Sequence, residues 1–399
     1  MTAIDPRDVQ VAHVLKDGVP AATLARVDGG VEFAYTPTYL DSGGRAVATT
    51  LPLSEEPVRT TSGAVPPFFA NLLPEGRRLT ALRRVVKTSP DDELSLLLSV
   101  GSDPVGDVQV LTQPDPGVAT PVPVVDGAFA DLDFADLLAT HGIGDPAALA
   151  GVQDKVSGRM LTVPLAHGGR AHLLKFEVPE FPRVVEDEAF FLGVARRLRH
   201  PVVAAEVVHD RHGRPGLLVT RFDRVPDGDH LRRLAVEDGA QVLGVHPAQK
   251  YTVSSEDLVT GVAGVCRSRP LALRALLLQL VLAWASGNGD LHAKNVSVVG
   301  AADRSVAPVY DIPSTVPYGD PTAALPLAGR RENLTAKAFR SFGETVGLPR
   351  AAVDRVLAEV LEATADVPAQ IEAGAVPWDP RRRQDLVRTL RRRRRDLEG

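Results

Sequence analysis

The feature that most constrains this sequence is an apolar run over residues 271–285, which only Arg274 and Gln279 interrupt. The run is shorter than the ~20 residues that a transmembrane helix needs. A helix that is apolar on nearly every side is stable when other elements surround it. The run therefore predicts a central, buried helix inside a large helical lobe.

Length and composition agree with that expectation. A chain of 399 residues is too long for one small core, so two lobes or domains are expected. Its single cysteine, Cys266, cannot form an internal disulfide, and its N-terminus lacks the build of a signal peptide. The formal charge of −5 argues against a surface that binds nucleic acid over its whole extent. We therefore expect a cytoplasmic protein without a membrane segment.

The predicted elements are β-rich in the first part of the chain and helical in the second. Residues 8–60 alternate apolar and polar stretches around Asp-Gly and Gly-Gly pairs, which is typical of strands and turns. A proline-rich stretch over residues 114–123 predicts a connector. The other predicted elements are helices over 77–87 and from about 91, strands within 156–176, a helix over 186–199, a hairpin within 202–221, and mainly helices after 237.

A polar loop, residues 287–295, follows the apolar run directly. In it, Asp290 precedes Asn295 by five residues, the spacing between the catalytic Asp and the metal-binding Asn of protein kinases. Phosphoryl transfer needs a carboxylate to orient the attacking hydroxyl and oxygen ligands for Mg²⁺. Clusters of Gly, Asn and Asp are ordinarily turns, so the loop alone leaves both interpretations open. A strand-like segment that ends in Asp311 supplies a second carboxylate and favours the chemical one.

A lysine inside an apolar strand lies upstream of this loop. Kinases place a strand lysine, here Lys175, between the α/β-phosphates and a helix glutamate, for which Glu188 is the candidate. A lone strand lysine is more often an edge residue, so this interpretation depends on the downstream loop. The layout then predicts an α+β protein with a two-lobed, protein-kinase-like fold.

Several segments together resemble the HipA family of bacterial kinases over nearly the whole chain. They are FANLLPEG at 69–76, GVQDK at 151–155, LLK at 173–175, VTRFDR at 219–224, KY at 250–251, NGDLHAKN at 288–295 and YD at 310–311. With this resemblance the expected parts are a small β-rich N-terminal subdomain (1–113), a lobe with the ATP-binding loop and the strand lysine (124–235), a helical lobe (236–380) and a basic tail (381–399).

The resemblance implies an ATP- and Mg²⁺-dependent Ser/Thr protein kinase. It implies that Asp290 is the catalytic base, that Lys175 holds the ATP phosphates and that His292 lies beside them. It assigns Asn295 and Asp311 to Mg²⁺. The other nucleotide-binding residues that it implies are Gly151, Gln153, Lys155 and Phe222.

The resemblance also implies partners. The family's kinases are toxins that a helix-turn-helix antitoxin of the HipB type neutralises, and operator DNA is bound through that antitoxin. Their acceptors include aminoacyl-tRNA synthetases, notably the glutamyl enzyme, and the outcome is growth arrest or drug tolerance. This chain departs from autophosphorylating members at Ala148, where they carry serine. We therefore expect no self-inactivation by phosphorylation at that position.

Two other interpretations stay open. A small-molecule kinase of the aminoglycoside or choline type shares the same Asp and Asn chemistry, but it has no counterpart of residues 71–76. A pseudokinase-like, DNA-binding corepressor would use the arginines at 391–395 on phosphates, although such a run is more often a solvated helix end. The intact set of Lys175, Asp290, Asn295 and Asp311 argues against a pseudokinase.

Overall fold

The computed structural model describes residues 4–115, 122–140, 160–228 and 230–399. Within these ranges the chain forms an N-terminal subdomain, a smaller lobe built on an antiparallel sheet, and a larger helical lobe. This is the β-rich first, helical second layout that the sequence predicts.

The N-terminal subdomain is an antiparallel sheet with short helices around it. In spatial order its strands are β4 (Val58–Arg59), β3 (Gly30–Tyr35), β2 (Val19–Val27), β1 (Val11–Lys16) and β5 (Val108–Leu111). Its helices are α1 (Pro37–Asp41), α2 (Pro67–Ala70), α3 (Gly76–Val86) and α4 (Glu93–Val100). Alternation along β3 turns Val31, Phe33 and Tyr35 inward, where Phe68 and Phe69 of α2 complete the core.

The smaller lobe carries Lys175 on a central strand. In spatial order its strands are β6 (Met160–His167), β7 (Arg170–Glu177), β9 (Pro215–Thr220) and β8 (Ala205–His209), and its helices are α5 (Phe134–Thr140) and α6 (Val184–Ala195). Gly168 and Gly169 turn β6 into β7 with φ of 56° and 72°, a left-handed conformation that glycine adopts without steric cost. Lys175 pairs with Thr162 on one side and Leu217 on the other, so it is not an edge residue.

Two small strand groups connect the lobes. A ribbon is formed by β10 (Arg224–Asp227) and β11 (His230–Arg233), and a three-stranded group by β12 (Val236–Asp238), β13 (Ser297–Val299) and β14 (Ser305–Val306). Strand β13 directly follows the 287–295 loop and pairs with β12. This pairing fixes the end of the loop against the junction of the two lobes.

The helical lobe is built around the helix that the apolar run predicts. Its helices are α7 (Gly239–Leu243), α8 (Ser255–Gly264), α9 (Arg269–Ser286), α10 (Ala336–Val346), α11 (Arg350–Ala363), α12 (Val367–Glu372) and α13 (Pro380–Glu398). Helix α9 is long and apolar enough to cross a membrane, but 72% of it is buried inside the protein. It ends at Gly287, whose φ of 78° suits a glycine just past a helix end.

The segment expected to be a basic tail is a packed helix instead. Helix α13 buries one apolar face on the helical lobe. The interpretation of residues 391–395 as a solvated end is wrong for Arg393, whose guanidinium stacks on the Trp284 ring at 3.7 Å and donates to the Trp284 carbonyl at 2.7 Å. The buried positions recur at helical spacing, which is the signal that could have revealed this face: Leu386, Leu390, Arg393 and Leu397.

Candidate active site

A buried lysine with two carboxylate partners lies where the two lobes meet. Lys175 Nζ donates to Glu188 Oε1 of α6 at 2.8 Å and to Asp311 Oδ1 at 2.8 Å. The predicted pairing with Glu188 is therefore present, and Asp311 joins it from the other lobe. Burial opposes the charge of Lys175, but Asp311 and Glu188 raise its pKa well above the usual value, so the lysine stays protonated.

The backbone of Asp311 is held in an uncommon conformation. Its φ is 55°, in the left-handed region, which costs a non-glycine residue on the order of 1 kcal/mol or more. The preceding segment is fixed, because the Val309 N–H donates to the Pro201 carbonyl at 2.8 Å. Burial would raise the pKa of Asp311, but Lys175 overrides it and lowers that pKa, so the carboxylate is charged. A strained, charged carboxylate at a cleft is a frequent mark of a functional residue.

Hydrogen bonds within the 287–295 loop explain the spacing of Asp290 and Asn295. The Asn295 Nδ2 donates to the Asp290 carbonyl at 2.8 Å, and the Asp290 N–H donates to Asn288 Oδ1 at 2.7 Å. The Gly289 N–H donates to Thr315 Oγ1 at 2.9 Å. Gly289 also has no room for a side chain, since a Cβ there would lie 2.5 Å from the Thr322 carbonyl oxygen. The loop is therefore a rigid platform that presents Asp290.

Two side chains border the carboxylate of Asp290. The Tyr251 hydroxyl donates to Asp290 Oδ1 at 2.7 Å, and His292 Nε2 lies 3.8 Å from the same oxygen. The rings of Tyr251 and His292 meet edge to face at 4.9 Å. Burial, and next Lys250, lower the pKa of His292 to about 3. His292 is therefore a neutral imidazole at neutral pH.

An ion cluster ties the N-terminal subdomain to this loop. Glu75, just before α3, forms an ion pair through Oε2 with Lys250 Nζ, and its Oε1 lies 3.1 Å from Lys294 Nζ. Lys294 also donates to the Asn71 carbonyl at 2.9 Å. Burial would raise the pKa of Glu75, but Lys294 and Lys250 together lower it to about 2. The FANLLPEG segment thus contacts the candidate catalytic loop directly.

A cavity of about 320 Å³ opens between the lobes and has Lys175 in its wall. Phe222 lies in the same wall and stacks on Tyr310, with ring centroids 5.9 Å apart. Apolar side chains of both lobes and of the subdomain face the cavity, a mixture suited to a flat base with a charged end. They include Leu72, Leu73, Leu173, Val203, Val219 and Val236.

The residues predicted to hold Mg²⁺ have suitable donor groups. Asn295 uses its Nδ2 on the loop, which leaves its amide Oδ1 as an acceptor, and Asp311 contributes a charged carboxylate. Mg²⁺ is commonly held by one or two such groups together with phosphate oxygens and waters. Among the described residues no group of three or more His, Cys, Asp or Glu could hold a metal without such help. The donor set therefore fits Mg²⁺ bound with a nucleotide.

The structure brings most of the predicted residues together. Lys175 and Phe222 line the cavity, Asp311 contacts Lys175, and Asp290, His292 and Asn295 share the rigid loop. Sequence reasoning gave no role to Tyr251 or Glu75, although both belong to segments of the family resemblance. The remaining predicted positions lie outside the described residues: Ala148, Gly151, Gln153 and Lys155.

An antiparallel sheet with a lysine–glutamate pair, set above a helical lobe with an Asp–Asn loop, defines a two-lobed, protein-kinase-like fold. The fold is also that of a solved HipA from Shewanella oneidensis MR-1, in a complex with HipB and its operator DNA. The TM-score is 0.75 at 21% sequence identity, over 96% of this chain and 97% of that one.

Sequence comparison gives the family. The model of the HipA-like C-terminal domain matches residues 147–367, and that of the HipA N-terminal domain matches residues 12–111. Y4mE of Sinorhizobium fredii, named as a kinase, is 31% identical over 91% of this chain and 92% of its own length. The serine/threonine-protein kinase toxin HipA of Shewanella oneidensis is 26% identical over 84% of this chain and 83% of its own. The chain belongs to the HipA family of kinase toxins.

Proposed function

We propose that this protein is an ATP- and Mg²⁺-dependent Ser/Thr protein kinase that acts as the toxin of a toxin–antitoxin pair. The observation that carries the proposal is Lys175 Nζ held at 2.8 Å from both Glu188 and Asp311 in the wall of the cleft. Kinases use such a lysine on the phosphates and such a carboxylate on the metal.

Each side chain has a proposed task. Asp290 orients the acceptor hydroxyl and accepts its proton, and the Tyr251 hydroxyl holds the Asp290 carboxylate in position. Lys175 holds the phosphates, with neutral His292 beside them, and Phe222 contributes to the adenine site. Asn295 and Asp311 would hold Mg²⁺, which neutralises phosphate charge when bound. Gly151, Gln153 and Lys155 are proposed to cover the phosphates.

A protein acceptor is favoured over a small molecule by the N-terminal subdomain. Its FANLLPEG segment contacts the catalytic loop through Glu75 and Asn71, and small-molecule kinases lack this subdomain. The relative named as a serine/threonine-protein kinase toxin agrees with a hydroxyl acceptor on a protein. We propose an aminoacyl-tRNA synthetase as the first acceptor to test, in the cytoplasm.

The proposed neutralising partner is a helix-turn-helix antitoxin of the HipB type, through which the kinase reaches operator DNA. Support comes from the solved HipA complex with HipB and operator DNA, which shares this fold. The formal charge of −5 gives the isolated chain little nonspecific attraction to DNA. Tight operator binding by the isolated protein at about 150 mM salt would contradict this part of the proposal, because binding driven by counterion release weakens steeply there.

The test is a phosphate-transfer assay with γ-labelled ATP, a panel of aminoacyl-tRNA synthetases, and the Asp290→Asn protein as the control. We expect label on a Ser or Thr of a protein acceptor, dependent on Mg²⁺ and absent with the control. Label that appears only on an aminoglycoside or on choline would replace the proposal with a small-molecule kinase. An absence of any Mg²⁺-dependent transfer, to protein or to small molecule, would refute it.

A further inference from the structure

Two lysines of the helical lobe share one carboxylate of the N-terminal subdomain. Glu75 lies 175 positions before Lys250 in the sequence and pairs with it and with Lys294. The side chains are largely shielded from water, at 23% exposure for Glu75, 7% for Lys250 and 12% for Lys294. Within the part of the chain that the structure describes, Glu75 is the one carboxylate in ion-pair contact with either lysine.

The two lysines face the proposed transfer site. Lys294 lies on the catalytic loop next to Asn295 and lines the cleft with Lys175. Lys250 precedes Tyr251, whose hydroxyl binds Asp290, and its ammonium lies 5.2 Å from the Tyr251 ring centre. Their charges are therefore placed around the groups that would receive the acceptor and the phosphates.

Glu75 lines a second cavity beside the nucleotide cleft. This cavity of about 470 Å³ is also lined by Lys250 and Tyr251, and Leu73 and Pro74 line both cavities. Leu73 and Pro74 of the subdomain, next to Glu75 in the sequence, thus lie between the nucleotide cleft and the cavity that Tyr251 lines. Any displacement of Glu75 would move both lysines, because like charges that share one counterion repel each other when it leaves.

We propose that Glu75 is a positioning residue of the kinase site: it holds the Lys250 and Lys294 ammonium groups beside the catalytic loop, so that the N-terminal subdomain completes the transfer site. This inference rests on the proposed kinase function. Glu75 acts through the two lysines and touches neither nucleotide nor acceptor. The subdomain is accordingly part of the catalytic unit.

The test is Glu75→Gln in the full chain, with kcat and KM for ATP and dissociation constants for ATP and adenosine. We expect kcat to fall roughly tenfold to hundredfold, since small misplacements of catalytic groups have effects of that order. Adenosine affinity stays unchanged, and ATP affinity stays unchanged or rises, because a negative charge near the phosphates has been removed. A merely structural role would instead weaken adenosine and ATP binding together, and that result would overturn the inference.

Glu237→Gln is the matched control. Glu237 accepts hydrogen bonds across the same subdomain boundary, from the Thr49 N–H and hydroxyl, but it lies in neither cavity wall. The kcat of the Glu237→Gln variant should stay within about twofold of the wild-type value. An equal loss of kcat in both variants would overturn the inference, since any loosening of the boundary would then suffice.

Two further variants keep the idea testable if Glu75→Gln folds poorly. Glu75→Asp retains the charge and should recover part of the lost kcat. The double variant that combines Glu75→Gln with Lys250→Met should lose no more kcat than the worse of the two single variants, because both substitutions act through one contact. Additive losses, or full activity of Glu75→Gln, would overturn the proposal. If the wild type itself transfers no phosphate, the kinase proposal fails and this inference fails with it; if the wild type transfers phosphate and Glu75→Gln keeps its kcat, this inference alone fails.

Discussion

Two buried cations, Lys175 in the smaller lobe and Arg393 in helix α13, are held in different ways. Lys175 has two carboxylate partners, Glu188 and Asp311, and one of them comes from the other lobe. Arg393 donates to the carbonyls of Trp284 and Pro321 and lies over the Trp284 ring. No carboxylate lies within ion-pair distance of Arg393 among the described residues.

The difference separates the proposed reacting region, the Lys175 cluster, from a static one around Arg393. A carboxylate can release a lysine and bind a metal ion, and a lysine can release a carboxylate and bind a phosphate. The Lys175 cluster can therefore rearrange when ligands bind. Carbonyls and an indole ring offer no such exchange. Burial, and next Arg392, lower the pKa of Arg393 to about 9, which leaves it charged at neutral pH but without a mobile partner. Arg393 is therefore a fixed clamp on the end of α9.

The largest expected effect on the reacting region comes from Asp290→Asn. Phosphate transfer should fall on the order of 10²-fold or more, because the proposed catalytic base is lost. The melting temperature should stay near the wild-type value, since an Asn oxygen can still accept from the Tyr251 hydroxyl. Labelled-phosphate transfer and thermal melting measure the two quantities. Near-full activity of this protein would remove Asp290 from the catalytic role.

The next effect concerns the carboxylate that bridges the lobes. Wild-type protein should gain about 2.7 kcal/mol of stability at a Mg·ATP concentration of 100 times Kd, by mass action. Asp311→Ala should lose most of that gain because the proposed Mg²⁺ ligand is missing. Melting curves with and without Mg·ATP measure it, and the surface variant Asp354→Ala is the control. A gain that survives unchanged in Asp311→Ala would count against this Mg²⁺ site.

Arg393→Met should destabilise the static region and leave the Lys175 cluster unchanged. We expect a loss of about 2–4 kcal/mol in the free energy of unfolding, because the Trp284 and Pro321 carbonyls lose their hydrogen bonds from Arg393 and the cation–π contact is lost. Arg391→Met, in the same arginine run, removes only an exposed pair with Glu372 and should cost less than about 1 kcal/mol. Denaturant unfolding compares the two variants. Equal losses would show that Arg393 is no special clamp.

The smallest effect, counted per unit of pH, is a pH dependence of stability that comes from His292. Its pKa is about 3 in the folded protein, against an ordinary value of 6.5. Between these values the unfolded chain binds a proton that the folded chain does not, so stability falls as pH drops from about 6.5 toward 3. The slope is at most about 1.4 kcal/mol per pH unit. His292→Gln should flatten this slope and leave stability above pH 7 dependent on pH as before; parallel curves for both proteins would contradict the assignment.

The sequence predicts the features that depend on neighbouring residues. The apolar run predicts α9, and the Lys175–Glu188 contact spans only 13 positions. The sequence does not reveal contacts that join distant segments. Examples are the contact of Tyr251 with Asp290 and that of Glu75 with Lys250, two residues that are 175 positions apart. Periodicity indicates that a side chain is buried, but it does not identify the distant residue that this side chain contacts.

The position of Arg393 has a consequence for the time at which activity begins. Ribosomes make the chain from its N-terminus, and domains fold in that order. The end of α9 and the loop that follows it are therefore synthesised well before the residue that clamps them, since Trp284 and Arg393 are 109 positions apart. Until α13 has docked, the Trp284 and Pro321 carbonyls lack the hydrogen bonds that Arg393 donates. A growing chain therefore lacks the Arg393 clamp beside its proposed catalytic loop. An N-terminal subdomain that has already folded, with Glu75 in place, does not supply that clamp.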